Sequence, residues 1–239
     1  MHSAVPMDLF DQNWSTYRAV VQHDLMGHAD LTAATALALR SWIEARAPGT
    51  RPPLAVDLGC GDLSALAPVW RQLPLGGYEG IDLTAQVLPL ARQALGAVPY
   101  PSRWQAADLR LWAASNDEPV DLIHTAFALH HLSDSEKAEF LRQARQRLAP
   151  GGLFLWADVF RDPGESRQDY LGRYRHRIHS QWSVLPAEAR TQVIDHIDQL
   201  DHPADRAVIV RQAEAAGWRW TWLWNGPQRA EGLAQLEPI

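Results

Sequence analysis

The stretch Leu54-Ala-Val-Asp57-Leu58-Gly59-Cys60-Gly61-Asp62-Leu63-Ser64 constrains this chain more than any other. An apolar run reaches an acid, Asp57. The backbone must then bend around Gly59 and Gly61, where missing side chains let a ligand approach the main chain. Two glycines one residue apart after a strand occur in many α/β proteins, so their meaning depends on the residues found downstream at fixed distances.

Those downstream residues are ordered. Asp62 or Ser64 is expected to cap a helix through Leu66, Val69, Trp70 and Leu73, closed by Gly76-Gly77. Tyr78 to Asp82 reads as a short strand ending in an acid. Asp82 lies about twenty residues beyond the glycines, the spacing at which a second-strand carboxylate accepts hydrogen bonds from ribose hydroxyls. Capping the helical run Val87 to Leu95 is the alternative task for Asp82. A third strand at Ser102 to Gln105 leads into Ala107-Asp108-Leu109. Asp108 there can accept from an exocyclic amine while the next backbone N–H meets a ring nitrogen, which selects adenine. Val120 to Phe127, including His124, is the near-continuous apolar run of a central parallel strand. Ala128-Leu-His130-His131-Leu132 comes next, then Ser133 and Glu136 in capping-box spacing before a helix burying Phe140, Leu141, Ala144 and Leu148. Pro150-Gly-Gly152 turns into a fifth strand, Leu153 to Phe160.

Through Val56-Asp-Leu-Gly-Cys-Gly61, Asp82, Ala107-Asp108, Ala128-Leu-His-His-Leu132 and Leu148-Ala-Pro-Gly-Gly152, the chain resembles the class I S-adenosylmethionine-dependent methyltransferases that act on small molecules. The resemblance covers roughly residues 50 to 160. One departure is Leu63, where many members carry a third glycine; the change reshapes the turn without forbidding the ligand. The resemblance implies an α/β fold: a seven-stranded, mostly parallel sheet with helices on both faces and an antiparallel C-terminal hairpin. It implies S-adenosyl-L-methionine as cofactor. Asp57, Gly59, Cys60 and Gly61 would lie near its methionine part, Asp82 and Leu83 at the ribose, Asp108 and Leu109 at adenine, and Thr125, Ala126 and Phe127 under the methionine amine. His130 and His131 would sit where the methyl donor points, one of them as general base or as a substrate-orienting group.

The flanks are expected to hold the acceptor. Residues 8 to 47 read as two helices, with Trp14, Tyr17, Val20, Val21 and Leu25 on one stripe and Leu31, Ala34, Leu37, Leu39 and Trp42 on another, Asp30 capping the second. After Phe160, a helical insert carries Arg161, Arg167, Tyr170, Arg173, Tyr174, Arg175 and Arg177. With residues 1–49 it would form a lid over the strand carboxyl ends. Tyr17, His28, Arg161, Tyr170, Arg173 and Tyr174 are the candidate substrate contacts. The basic run either holds an anion or is a helix face paired with nearby acids. Trp218-Arg-Trp-Thr-Trp-Leu-Trp224 alternates as a strand with its four tryptophans on one face, and Leu233 to Ile239 would be its partner. One methyltransferase domain is expected: lid 1–49, cofactor core 50–160, insert 161–203, and last helix and strands 204–239.

With 239 residues and a formal charge of -6, the chain has neither the basic balance of a general nucleic-acid binder nor an apolar run long enough for a membrane span. The expected partner is a small-molecule substrate, with no DNA or membrane, RNA as the weaker substrate through the arginine-rich helix, and a homodimer through the aromatic strand. The expected compartment is the cytoplasm. The single cysteine, Cys60, packs behind the turn. No metal is expected: the edge shows no acidic cluster, and His124, His130 and His131 have no fourth ligand in sequence reach. Two other readings are a nicotinamide-dependent oxidoreductase, weakened by the missing third glycine, and a noncatalytic cofactor-binding protein.

Overall fold

The computed structural model describes residues 7–239 in backbone and 14–239 in side chains; the first six residues of the expected lid lie outside the described residues. The sheet order is β3-β2-β1-β4-β5-β8-β7, formed by β1 (Leu54–Leu58), β2 (Gly77–Asp82), β3 (Ser102–Ala106), β4 (Val120–Ala126), β5 (Leu148–Arg161), β7 (Trp218–Asn225) and β8 (Glu231–Pro238). The first five strands run parallel, and β8 is antiparallel to β5 and β7. To the seven expected strands the structure adds a two-residue β6 (Ala204–Asp205), which pairs with the far end of β5 and brings the insert back to the sheet. The chain reverses its lateral direction between β1 and β4. A ligand crevice opens at the carboxyl ends of the strands at such a switch point.

Helices α2 (His28–Glu44), α3 (Ala67–Gln72) and α4 (Leu88–Leu95) cover one face through Leu31, Leu39, Val69, Trp70, Ala91 and Leu95. Helices α5 (Leu109–Ala114), α6 (Asp134–Arg147) and α9 (Arg206–Ala215) cover the other through Trp112, Phe140, Leu141, Ala144, Ile209 and Ala213. Helices α1 (Met7–Gln22), α7 (Arg167–Gln181) and α8 (Ala187–Leu200) form a third apolar cluster with Val159 at the sheet end, built on Val20, Tyr170, Tyr174, Ile178 and Trp182. No described helix is long and apolar enough to cross a membrane.

The α6 capping box is present: the Ser133 hydroxyl accepts from the Glu136 N–H, and the Glu136 carboxylate accepts from the Ser133 N–H. Two other expected caps are corrected. Asp62 accepts from Ser64 N–H within the turn, and α3 starts only at Ala67. Asp30 lies inside α2, whose N-cap is Gly27; Asp24 instead accepts from the Ala29 N–H. Leu37 is also corrected, being exposed, because the buried α2 stripe runs through His28, Leu31, Thr35 and Leu39. The four tryptophans of β7 do not share a face. A bulge between Trp222 and Trp224 leaves Trp220 and Trp222 on the α6–α9 side and sends Trp224 to the α2 side against Gly27. Arginines of the chain itself stand over two of these rings, Arg206 over Trp222 and Arg145 over Trp218.

A buried ion pair fastens α7 to the sheet. Arg177 of α7 donates to Glu231 of β8 at 2.6 Å and to the Leu25 carbonyl at 2.6 Å, while the Tyr174 hydroxyl donates to the same carboxylate. Both charged side chains are out of water, at 2% and 0% exposed. Removing one partner strands the other, so Arg177→Met is expected to lower unfolding stability by about 3–5 kcal/mol. Urea denaturation checks this, and a loss under about 1 kcal/mol would contradict it.

Candidate functional site

The turn after β1 is built from below. Asp57 is buried, its carboxylate accepting from the Tyr78 hydroxyl at 2.9 Å and meeting His124 Nδ1 at 2.7 Å, so β1, β2 and β4 are joined beneath the glycines. The N–H groups of Gly59 and Cys60 then donate to the Ile81 carbonyl, and the Gly61 N–H donates to Asp82 Oδ2 at 2.9 Å. Gly59 and Gly61 both have left-handed backbone. At Gly59 a Cβ would come within 2.5 Å of the Ala128 Cβ, whereas at Gly61 it would meet open space. Only glycine fits the first position, and the second leaves bare backbone beside open space. Leu63 keeps left-handed backbone (φ 57°) with its side chain buried in the α2–α4 core. That explains how the turn survives without a third glycine.

Tyr17, His28, Leu31, Thr32, Thr35, Asp57, Gly59, Cys60, Asp62, Leu63, Leu66, His124, Ala126, Phe127 and Ala157 are among the residues lining a cavity of about 60 Å³ under α1 and α2. That is far below the roughly 300–1,000 Å³ of a small-molecule cleft, side chains of α1 and α2 being among those that close it. Phe127 has left-handed backbone (φ 52°), a strained conformation for an aromatic residue, and its ring lies 5.5 Å from that of His28. His28 is 7% exposed, and its Nδ1 has no hydrogen-bond partner. Burial holds its imidazole below the ordinary 6.5, against the opposing charge of Asp24. Crowding by protein, then the charges of Asp62, Asp82 and Asp57, pushes the Tyr17 phenol up and keeps it a donor. Burial likewise raises the Cys60 thiol, which is unreactive and packed behind the turn.

The other expected residues divide. Asp82 is in place at the turn, held by the Gly61 and Thr84 N–H groups, its carboxyl pushed up by burial. Leu83 stands exposed beside it. Asp108 caps α5 through the Arg110 N–H and pairs with the Arg110 guanidinium, with Leu109 half-buried behind it. Thr125 does not face the cavity, because its hydroxyl donates to the Leu58 carbonyl. Neither His130 nor His131 is among the cavity-lining residues. The His130 ring is turned toward Asp158, and that of His131 toward Asp201. The insert residues are committed elsewhere: Arg161 to the Pro203 and Glu165 carbonyls, Arg173 to Glu165, and Tyr170 and Tyr174 to the buried cluster of α1, α7 and α8. Arg175 pairs with Asp198 and Arg167 with backbone carbonyls of α8. The paired-helix reading of the basic run is the one realised. Sequence reasoning missed Thr32, Thr35 and the inward face of His124. The first two share the i, i+3, i+4, i+7 stripe that starts at His28, which the apolar pattern of α2 hides.

Residues 56–154 match the family described as a methyltransferase domain. The chain is 30% identical over 196 residues to the trans-aconitate 2-methyltransferase of Paracidovorax citrulli, covering 72% of this chain and 71% of the relative. It is 38% identical over 109 residues to the trans-aconitate 2-methyltransferase of Azoarcus sp., covering 46% of this chain but only 40% of that relative. Its fold is similar to the plantazolicin methyltransferase BpumL solved in complex with a monoazolic desmethylPZN analogue and SAH (TM-score 0.63, 13% identity, 93% of this chain and 88% of that one). The chain belongs to the class I S-adenosylmethionine-dependent methyltransferases.

The depressed histidine has a measurable signature. Below pH 6.5 the unfolded chain takes up a proton at His28 that the folded chain binds less readily, so this group's contribution to stability is complete above 6.5 and is lost as pH falls. His28→Asn, which does not titrate, is expected to lose stability less steeply than wild type between pH 7 and 5 in parallel urea titrations. Equal slopes would show that His28 is solvated.

Proposed function

We propose that this chain transfers the methyl group of S-adenosyl-L-methionine to an uncharged small molecule carrying an O–H, N–H or S–H nucleophile, bound under α1 and α2 against His28 and Phe127. The observation that carries the reading is the His28 ring: buried, held neutral, and with an unpartnered nitrogen among the residues that line the crevice beside the glycine turn.

The residues present fit the cofactor. The open left-handed Gly61 leaves backbone accessible, Asp82 stands at the end of β2 to accept from ribose hydroxyls, and Asp57, Asp62 and Asp82 supply the negative surroundings that a sulfonium requires. Asp108 and Leu109 are the adenine contacts in this reading. When bound, S-adenosylmethionine supplies an electrophilic methyl group with a neutral thioether as leaving group.

The chain's own contribution is position and proton. The strained Phe127 and Ala126 form the floor on which the acceptor is held, since an in-line displacement gains most from fixing the reacting atoms near contact distance. Helices α1 and α2 close over it and exclude water. His28 accepts the acceptor's proton as methyl transfer proceeds, and a buried neutral imidazole is suited to that. Tyr17, kept protonated, donates a hydrogen bond at the rim. His130 and His131, the bases expected from sequence, lie off this wall. Trans-aconitate, the substrate that names both relatives, carries three carboxylates. Among the described residues, no lysine or arginine lines the cavity. A wall of this composition favours an uncharged acceptor. The compartment that accompanies this reading is the cytoplasm.

Titration calorimetry with S-adenosylhomocysteine should show Asp82→Ala weakening binding by about tenfold or more, as expected for losing hydrogen bonds to a charged group, with His28→Ala leaving affinity within about threefold. In a labelled-methyl assay against pooled metabolites, His28→Ala should reduce transfer at least about 100-fold, the contribution of a positioned base. Absence of binding would overturn the cofactor reading, and transfer to trans-aconitate faster than to any neutral acceptor would overturn the acceptor class.

A further inference from the structure

Outside the crevice, three histidines converge on one oxygen. Asp201, at the carboxyl end of α8, is 6% exposed, and its Oδ1 has no hydrogen-bond partner. Around that oxygen stand His130 Nε2 at 3.6 Å, His131 Nδ1 at 3.8 Å and His196 Nε2 at 3.8 Å. These separations are too long for hydrogen bonds. They are close to the roughly 3.3–3.5 Å that separates two donors on a tetrahedral ion with bonds of about 2.0–2.1 Å. The His130, His131 and Asp201 donor atoms all lie within 4.8 Å of one another.

The surroundings are arranged as they are behind a metal-bound imidazole. His130 Nδ1 is 2.6 Å from Asp158 Oδ1, and the Asp158 carboxylate is fixed by the N–H groups of His130, Val159 and the Trp156 indole. A carboxylate so placed orients the ring and leaves Nε2 with its lone pair toward Asp201. Asp201 is equally fixed, its carbonyl accepting from Arg167 and the next N–H, that of His202, donating to the His130 carbonyl. The backbone therefore holds the 3-10 turn after β4 against the end of α8, and the side chains between them hold donors with no mutual bond.

We propose that His130, His131 and Asp201 bind a divalent late transition metal, zinc as the type, with His196 reaching in as the fourth ligand and Asp158 as the orienting carboxylate. A donor set rich in imidazole nitrogen with a single carboxylate suits such an ion and not calcium or magnesium, which take oxygen ligands. The ion staples α8 of the lid to the turn that comes after β4.

Equilibrium dialysis of the untagged, chelator-treated chain against zinc, with metal analysis, is expected to give one saturable ion per chain. Asp201→Asn and His131→Ala should each weaken it at least about 30-fold, because each removes one of three inward ligands. His131 is half-exposed and Asn is nearly isosteric with Asp, so both variants are expected to keep the wild-type circular dichroism. Zinc should also raise the melting temperature of wild type and leave that of Asp201→Asn unmoved, while cobalt should give the intense visible bands of a tetrahedral nitrogen and oxygen site. No saturable binding overturns the proposal, as does saturable binding that both variants retain, which would place the ion on other histidines.

Discussion

The Asp57 carboxylate is the constraint on which the rest of this structure depends. Withdrawn from water, it would be costly without partners. The Tyr78 hydroxyl from β2 and the His124 imidazole from β4 meet it, so one acid ties three adjacent strands at the level where the chain turns. That fixes the entry angle of the Gly59–Gly61 loop, and the loop's N–H groups, directed to Ile81 and Asp82, fix where β2 ends. The position of the Asp82 carboxylate at the end of β2 and the bare backbone at Gly61 are consequences of this buried arrangement. The acid in the motif acts from underneath.

Two further charge pairs transmit that order outward. Arg177 and Glu231 bind α7, the α1–α2 junction and β8 into one body, and Asp158 aligns His130 at the end of β4. Helix α7 and the α1–α2 junction are fastened to the sheet by buried polar contacts, while Tyr17, His28 and Thr35 of α1 and α2 line the cavity beside the glycine turn. In the proposed reading, α1 and α2 are the cover that opens for cofactor and acceptor.

Much of this was legible in the sequence because the signals were local. Strands β1, β4 and β5 arise from apolar runs, β2 and β3 from short segments set off by Gly and Pro, the α6 cap from Ser133 and Glu136, and the turn from two glycines and a trailing acid at Asp82. The fold confirms the α/β sheet with its antiparallel C-terminal strands, and the family comparison confirms the class. The illegible parts depended on distance or on a single irregularity. One bulge in β7 turned Trp224 to the opposite face from Trp222. The arginines of α7 read as a basic surface because their partners, Asp198 and Glu231, lie 23 and 54 residues away. The closeness of Asp201 to His130 and His131 was hidden because about seventy residues separate them in the chain and only the fold brings them together.

The proposed methyl transfer requires an adenosyl ligand to enter between the glycine turn and helices α1 and α2. A crystal structure with S-adenosylhomocysteine bound tests that most directly. The expected result has the ribose hydroxyls on Asp82, the homocysteine portion along Gly59–Gly61, α1 and α2 moved outward, and the sulfur facing His28 and Phe127. An adenosyl group bound elsewhere, or at the turn with its sulfur directed away from His28, would contradict it.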